Sequence, residues 1–159
     1  MTHTTRSARE TLTIASTFAE RLGRGDIVAL YGELGSGKTQ FAKGVCDYFG
    51  VGEHVTSPTF VLLNRHSGKD ATGRELLIFH FDLYRIKSLS EIYDLGYEEF
   101  FSQDGICLIE WADQLADLLP ARRYDVRLSF GKTDDERIVE ITKQDAVKQS
   151  VLSRMQPAQ

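Results

Sequence analysis

Five residues in the octet GELGSGKT carry the strongest chemical signal in the chain: Gly32, Gly35, Gly37, Lys38 and Thr39. Their order fits G-x-x-x-x-G-K-[ST], the phosphate-binding loop of nucleoside triphosphatases. Glycine lets successive backbone N–H groups turn inward around phosphate oxygens with no Cβ in the way. A helix opening directly behind such a loop adds free amides and the positive end of its dipole. Lys38 can then reach the β- and γ-phosphates, and the Thr39 hydroxyl can ligate Mg²⁺. The spacing predicts a nucleoside triphosphate with Mg²⁺. It does not choose the base, because no N-K-x-D motif is present.

Such a loop needs an acidic partner for the metal. ICLIEW, residues 106–111, is an apolar run ending in Glu110, the form of a Walker-B strand. Glu110 is the first candidate for the metal shell, through water, since Mg²⁺ keeps several waters. Asp82, in HFDLYR, also ends an apolar run. It either serves the hydrolytic site, by ordering the metal's waters or the attacking water, or pairs with Arg85 at the surface. His80 has no ligand partner at metal spacing and reads as a partly buried histidine with its bonds satisfied. VTSPTF offers the hydroxyls of Thr56, Ser57 and Thr59 around the stiff Pro58. It stands where many NTPases place a segment that senses the γ-phosphate, and its movement on hydrolysis is an expectation.

These side chains need a scaffold, and the periodicities supply one. Ser7 with Glu10 makes a capping box before TLTIASTFAERL, whose Leu12, Ala15, Phe18, Ala19 and Leu22 share a helical face. IVALY is a short strand before the loop, and KTQFAKGVCDYF a helix behind it, ending at Gly50. FVLLNRH and ELLIFHFDLYR read as paired strands around a turn in HSGKDATG. Ser88 with Glu91 caps a short helix, ICLIEW is a buried strand, and a helix follows from Ala112 to Leu119, stopped by Pro120. YDVRLSF and ERIVEI form a hairpin around GKTDD. This is an α/β pattern: a central sheet, partly parallel and partly antiparallel, flanked by helices, as in the P-loop NTPase fold. One domain over residues 1–142 is expected, with a weakly helical or frayed tail over 143–159.

Composition narrows the setting. The 159 residues are 42% hydrophobic and 26% charged, which suits one globular core. No apolar run approaches the about 18 residues of a membrane span, and no apolar leader stands at the N-terminus, so a cytoplasmic protein with no membrane partner is expected. The net charge of −4 and the lack of a long basic run argue against nucleic acid as a direct, sole partner. Cys46 and Cys107 sit among apolar residues and read as buried free thiols.

GELGSGKT, VTSPTFVLLN, HFDLYRI, LGYEEFF and LIEWAD together, in this order and spacing, resemble the TsaE family, also called YjeE; the likeness runs from about Thr11 to Ile141. The family is a small bacterial ATPase needed for N6-threonylcarbamoyladenosine in tRNA. The resemblance therefore implies ATP and Mg²⁺ as cofactors, with hydrolysis weak alone and stimulated by partners. Those partners are the TsaD transferase and its paralogue TsaB, which the ATPase resets between turnovers, with tRNA met only through them. It implies that the backbone from Leu34 through Gly35, Ser36, Gly37 and Lys38 to Thr39 wraps the phosphates. It also implies that Thr39 and Glu110 ligate the metal and that Lys38, Asp82 and Glu110 serve catalysis. Thr11 and Arg137 would lie near the nucleotide, and Trp111 near the active site. Glu33 and Ser36 stand where the family commonly has Asp and Ala, and IEWAD replaces IEWPE, which should loosen the turn after Trp111. Two other readings use the same loop: a nucleotide-gated interaction switch with negligible turnover, and a small P-loop metabolite kinase. The kinase is disfavoured because no arginine-rich, glycine-bounded lid is present.

Overall fold

A computed structural model describes residues 1–101 and 104–145. Its seven strands are β1 (Thr2–Thr5), β2 (Ile27–Tyr31), β3 (Leu63–Lys69), β4 (Glu75–Asp82), β5 (Gly105–Glu110), β6 (Arg123–Phe130) and β7 (Arg137–Gln144). They form one sheet in the order β1-β7-β6-β2-β5-β4-β3. The inner four strands, β6, β2, β5 and β4, run parallel. An antiparallel hairpin partner closes each side, β3 on β4 and β7 on β6, and β1 adds to the far edge of β7. The mixed sheet expected from the strand pattern is therefore the one observed.

Side chains alternate between the two faces with period two. Val28 and Leu30 of β2, Leu76 and Ile78 of β4 and Ile106 and Leu108 of β5 face helices α1 (Ala8–Ala19) and α2 (Lys38–Tyr48). Ile27, Ala29, Phe79, Phe81, Cys107 and Ile109 face the opposite layer. That layer comprises α3 (Leu89–Asp94), α4 (Tyr97–Phe101) and a 3-10 helix (Ala112–Leu118). Helix α1 starts at Ser7, whose hydroxyl accepts the Glu10 N–H at 3.1 Å. The returning Glu10 carboxylate accepts the Arg6 N–H at 2.6 Å instead of that of Ser7, so only half of the expected box forms there, whereas the box of Ser88 and Glu91 on α3 is complete. Helices α1 and α2 approach closely at Gly44, where a Cβ would stand 2.3 Å from the Leu12 carbonyl oxygen and 2.6 Å from Ala15 Cβ. Only hydrogen fits there.

Four further expectations are corrected. Strand β3 starts at Leu63, because Pro58 to Leu62 closes a turn (Leu62 N–H to Pro58 O, 2.7 Å) with Leu62 at φ 67. The strand then runs through His66–Lys69 into what reads as turn sequence. Its end is pinned by the Lys69 N–H on the Phe49 carbonyl at 2.7 Å, and the turn itself is Asp70–Gly73. The segment after Trp111 is a 3-10 helix broken at Ala116, at φ 45. The tail expected from Lys143 onward begins inside β7, which runs to Gln144; residues 146–159 lie outside the described part. Strand β1 has no counterpart in the sequence reading. Cys46 and Cys107 are buried free thiols, as read.

Candidate functional site

The phosphate-loop motif leaves the carboxyl end of β2, and α2 begins at Lys38 with Gly37 as its N-cap in the left-handed region, φ 105. A side chain at 37 would be strained in that conformation. Asp82 and Glu110 are register partners at the carboxyl ends of β4 and β5, and Leu30 pairs with Glu110 across β2. All three ends meet at one rim of the parallel sheet, where open α/β sheets bind ligands. Both acids continue the parity of Ile78 and Leu108, so they point to the α2 side, over the loop.

The contacts confirm that placement. Thr39 Oγ1 donates to Glu110 Oε1 at 2.6 Å. Glu110 is 1% exposed, so it is no solvated strand end. Lys38 is also buried, and its Nζ donates to the carbonyls of Gly32 at 2.5 Å and Glu33 at 2.9 Å. The same ammonium lies 3.9 Å from the centroid of the Trp111 ring, within cation–π range. Burial pulls the Lys38 pKa below the usual lysine value, opposed by the charges of Glu110, Asp82 and Asp113. Trp111 reaches this position through a left-handed backbone, φ 58, directly after Glu110, and packs on Tyr84 at 4.9 Å between centroids.

Asp82 is buried and accepts three hydrogen bonds, none of them from Arg85. Its Oδ2 accepts the hydroxyls of Ser57 and, at 3.0 Å, Thr59, while Oδ1 accepts the Tyr84 N–H at 2.9 Å. Arg85 instead lies over the Phe60 ring, 4.3 Å from its centroid. The salt-bridge alternative for Asp82 is thus absent, and the VTSPTF hydroxyls tie that loop to the sheet rim. The reading of His80 as partly buried with its bonds satisfied is corrected: it is 0% exposed, its Nε2 lies 3.2 Å from Glu110 Oε2, and its Nδ1 has no partner among the described residues. The available signal was parity, since His80 and Asp82 stand two apart and so share a face.

Two hollows flank the loop. One, about 340 Å³, is lined by Lys38, Thr39, Asp82, Glu110 and Trp111, with Leu34 at its exposed lip. The other, about 200 Å³, is lined by Thr11, Gly35, Gly37 and Arg137. Thr11 is buried, its hydroxyl 2.8 Å from that of Thr5, and Arg137 donates to the Gly35 carbonyl at 3.2 Å. The loop is therefore shared by both hollows, which brings the distant Thr11 and Arg137 beside the motif.

The donor set fits a magnesium–nucleotide complex. It offers hard oxygen ligands in Thr39 and Glu110, a lysine held close by, and loop amides at the start of α2. Ser36 Oγ is buried without a hydrogen-bond partner among the described residues and lines neither hollow; it packs beneath the loop against Gly32.

A glycine loop between a parallel strand and its helix, with acids ending the neighbouring strands, defines this as a P-loop NTPase fold. Comparison with known proteins narrows the class. The family model described as "Threonylcarbamoyl adenosine biosynthesis protein TsaE" matches residues 5–139, and the chain belongs to the TsaE family. It is 38% identical to the tRNA threonylcarbamoyladenosine biosynthesis protein TsaE of Treponema pallidum over 125 residues, 79% of this chain and 87% of that one. With the protein of the same name from Rickettsia bellii the identity is 41% over 139 residues, 87% and 92% of the two chains. The crystal structure of Bacillus subtilis YdiB superposes with a TM-score of 0.74 at 28% identity, covering 97% of this chain and 92% of that one. Among the described residues, no helix is long and apolar enough to cross a membrane.

Proposed function

We propose that this chain is the ATP-binding and ATP-hydrolysing subunit of the machinery that makes N6-threonylcarbamoyladenosine in tRNA. In this reading it resets a TsaD/TsaB transferase complex in the cytoplasm, and tRNA is held by those partners. The observation that carries the reading is the 2.6 Å contact between Thr39 and Glu110 across the mouth of the phosphate loop, with Lys38 beside it. The curated relatives' names supply the tRNA pathway.

In this reading the backbone from Leu34 to Thr39 wraps the phosphates, and Lys38 exchanges the Gly32 and Glu33 carbonyls for phosphate oxygens. Thr39 and Glu110 would hold Mg²⁺, which when bound neutralises charge on the β- and γ-phosphate oxygens. Asp82 already accepts three donors. Its remaining lone-pair capacity suits the ordering of one water rather than a wide ligand set. Water attacks the γ-phosphorus, the bond to the β-bridging oxygen breaks, and ADP and inorganic phosphate leave. Thr11 and Arg137, in the second hollow, would take the nucleoside end. Phe60, 82% exposed, shares a loop with Ser57 and Thr59, so a change at Asp82 has a direct route to a surface that a partner can feel.

The test is phosphate release from ATP and Mg²⁺, alone and with TsaB, TsaD and tRNA, for wild type and Glu110→Ala. Stimulation by the partners, lost in Glu110→Ala, is expected. Negligible release in every setting, with nucleotide still bound, would favour the switch without turnover. A phosphorylated acceptor in place of free phosphate would favour a kinase.

A further inference from the structure

Behind Glu110 lies a second buried histidine. His80 and His66 stand on adjacent strands, offset by two positions in the β3–β4 register, where His66 faces Ile78. They therefore share the sheet face that carries Glu110. Their exposures are 0% and 4%, and their ring centroids are 6.2 Å apart. At one end of the pair, His80 Nε2 meets Glu110 Oε2 at 3.2 Å; at the other, His66 Nδ1 meets Glu53 Oε1 at 2.7 Å. The two remaining nitrogens, His80 Nδ1 and His66 Nε2, are buried without partners among the described residues.

A histidine that only filled core space would not direct its one satisfied nitrogen at the acid of a ligand site. Glu110 has two oxygens with different tasks. Oε1 accepts from Thr39, and Oε2 lies 3.2 Å from His80 Nε2. With Oε2 as the acceptor, the His80 nitrogen facing it carries the hydrogen. That second bond fixes the rotation of the carboxylate, which Thr39 alone would leave free to turn. Each ring nitrogen lies little more than an ångström from its own centroid. Centroids 6.2 Å apart thus keep the two free nitrogens beyond the about 3 Å of a direct hydrogen bond. The two rings therefore meet through packing and not through a direct hydrogen bond.

We propose that His80 is a positioning residue that presents Glu110 to the metal, backed by His66, whose ring Glu53 anchors at the protein surface. This rests on the reading of Glu110 as a metal-site acid. The line crosses three strands, β5, β4 and β3, and ends on the segment between α2 and β3 that also carries Ser57 and Thr59. Outer-shell partners of this kind are worth about ten- to a hundredfold in metal affinity.

The experiment titrates Mg²⁺ into each variant with a fluorescent ATP analogue and reads the half-saturating Mg²⁺ concentration. It also reads analogue affinity without metal, and thermal unfolding serves as the control for folding. His80→Phe, which keeps a planar ring and loses the donor, should raise the half-saturating Mg²⁺ about tenfold and leave metal-free affinity unchanged. His80→Gln, whose amide N–H can stand where Nε2 stands, should return most of that loss. Nitrogen NMR of the wild-type rings, which needs neither metal nor activity, should show the hydrogen of His80 on Nε2 and that of His66 on Nδ1. His80→Phe indistinguishable from wild type in Mg²⁺ demand, or His80 protonated on Nδ1 alone, would overturn the proposal. A wild type that binds nucleotide with no Mg²⁺ dependence would overturn it together with the functional reading. Should His80→Phe not fold, the Gln variant and the ring tautomers still decide.

Discussion

Asp82 and Glu110 at the sheet rim are out of water, and each is held by a different set of partners. Asp82 takes two hydroxyls and one backbone N–H. Asp82→Ala would strand these donors, at about 1–3 kcal/mol for a group left unsatisfied, while Asp82→Asn keeps one acceptor and a donor for the hydroxyls. Amide hydrogen exchange at Ser57, Thr59, Phe60 and Tyr84 should therefore speed up strongly in the alanine variant and little in the asparagine variant. The thiols give a prediction of known sign. Burial pushes both Cys46 and Cys107 from about 9 up to about 12, so the folded state holds these protons where the unfolded chain has lost them. Their contribution to stability is complete below pH 9 and is lost as pH rises from there towards 12, by about 1.4 kcal/mol per pH unit for each thiol. Denaturant unfolding of wild type against Cys46→Ala between pH 8 and 11 should show the shallower slope in the variant. At this scale the motif residues were legible because local spacing encodes them. His80 was not, since its partner Glu110 comes from another strand and only the shared face joins them.

Elements carried their own signals where the pattern was local. The Ser7 hydroxyl cap, the Ser88 box, the strand before the loop and the C-terminal hairpin all form as their sequences indicate. Strand β1 escaped notice because THTT has no apolar alternation; it becomes a strand by pairing with β7, a tertiary event. The 3-10 geometry after Trp111 likewise depends on a left-handed residue, Trp111, that is not glycine. The contact between α1 and α2 makes a sharper prediction. At Gly44 a methyl group would meet the Leu12 carbonyl at 2.3 Å, and a backbone neighbour cannot swing aside. Gly44→Ala should cost about 1–3 kcal/mol by overpacking, despite the higher helix propensity of alanine. Because α2 begins at the phosphate loop, the same variant should also weaken nucleotide binding, measurable beside the unfolding midpoint.

At the level of the whole molecule, ligand and fold are linked through one sheet. Mg·ATP at a hundred times its dissociation constant should stabilise the native state by about 2.7 kcal/mol. At roughly 2–4 °C per kcal/mol for a chain of this size, the melting temperature should rise by several degrees. Lys38→Ala should lose most of that rise. The strand order also has a consequence in time. β2, which launches the phosphate loop, finds its neighbours only in β5 and β6, and β1 finds its own only in β7. The segment from β1 to α2 is thus made before the strands that pair with β2, and the closing contacts are the long-range ones that set slow folding. Nucleotide is not expected to template the fold, because β2, which carries the phosphate loop, gains its neighbours only with β5 and β6. Mg·ATP should leave the refolding rate unchanged and slow unfolding alone, so that the ligand acts as a latch on a finished protein.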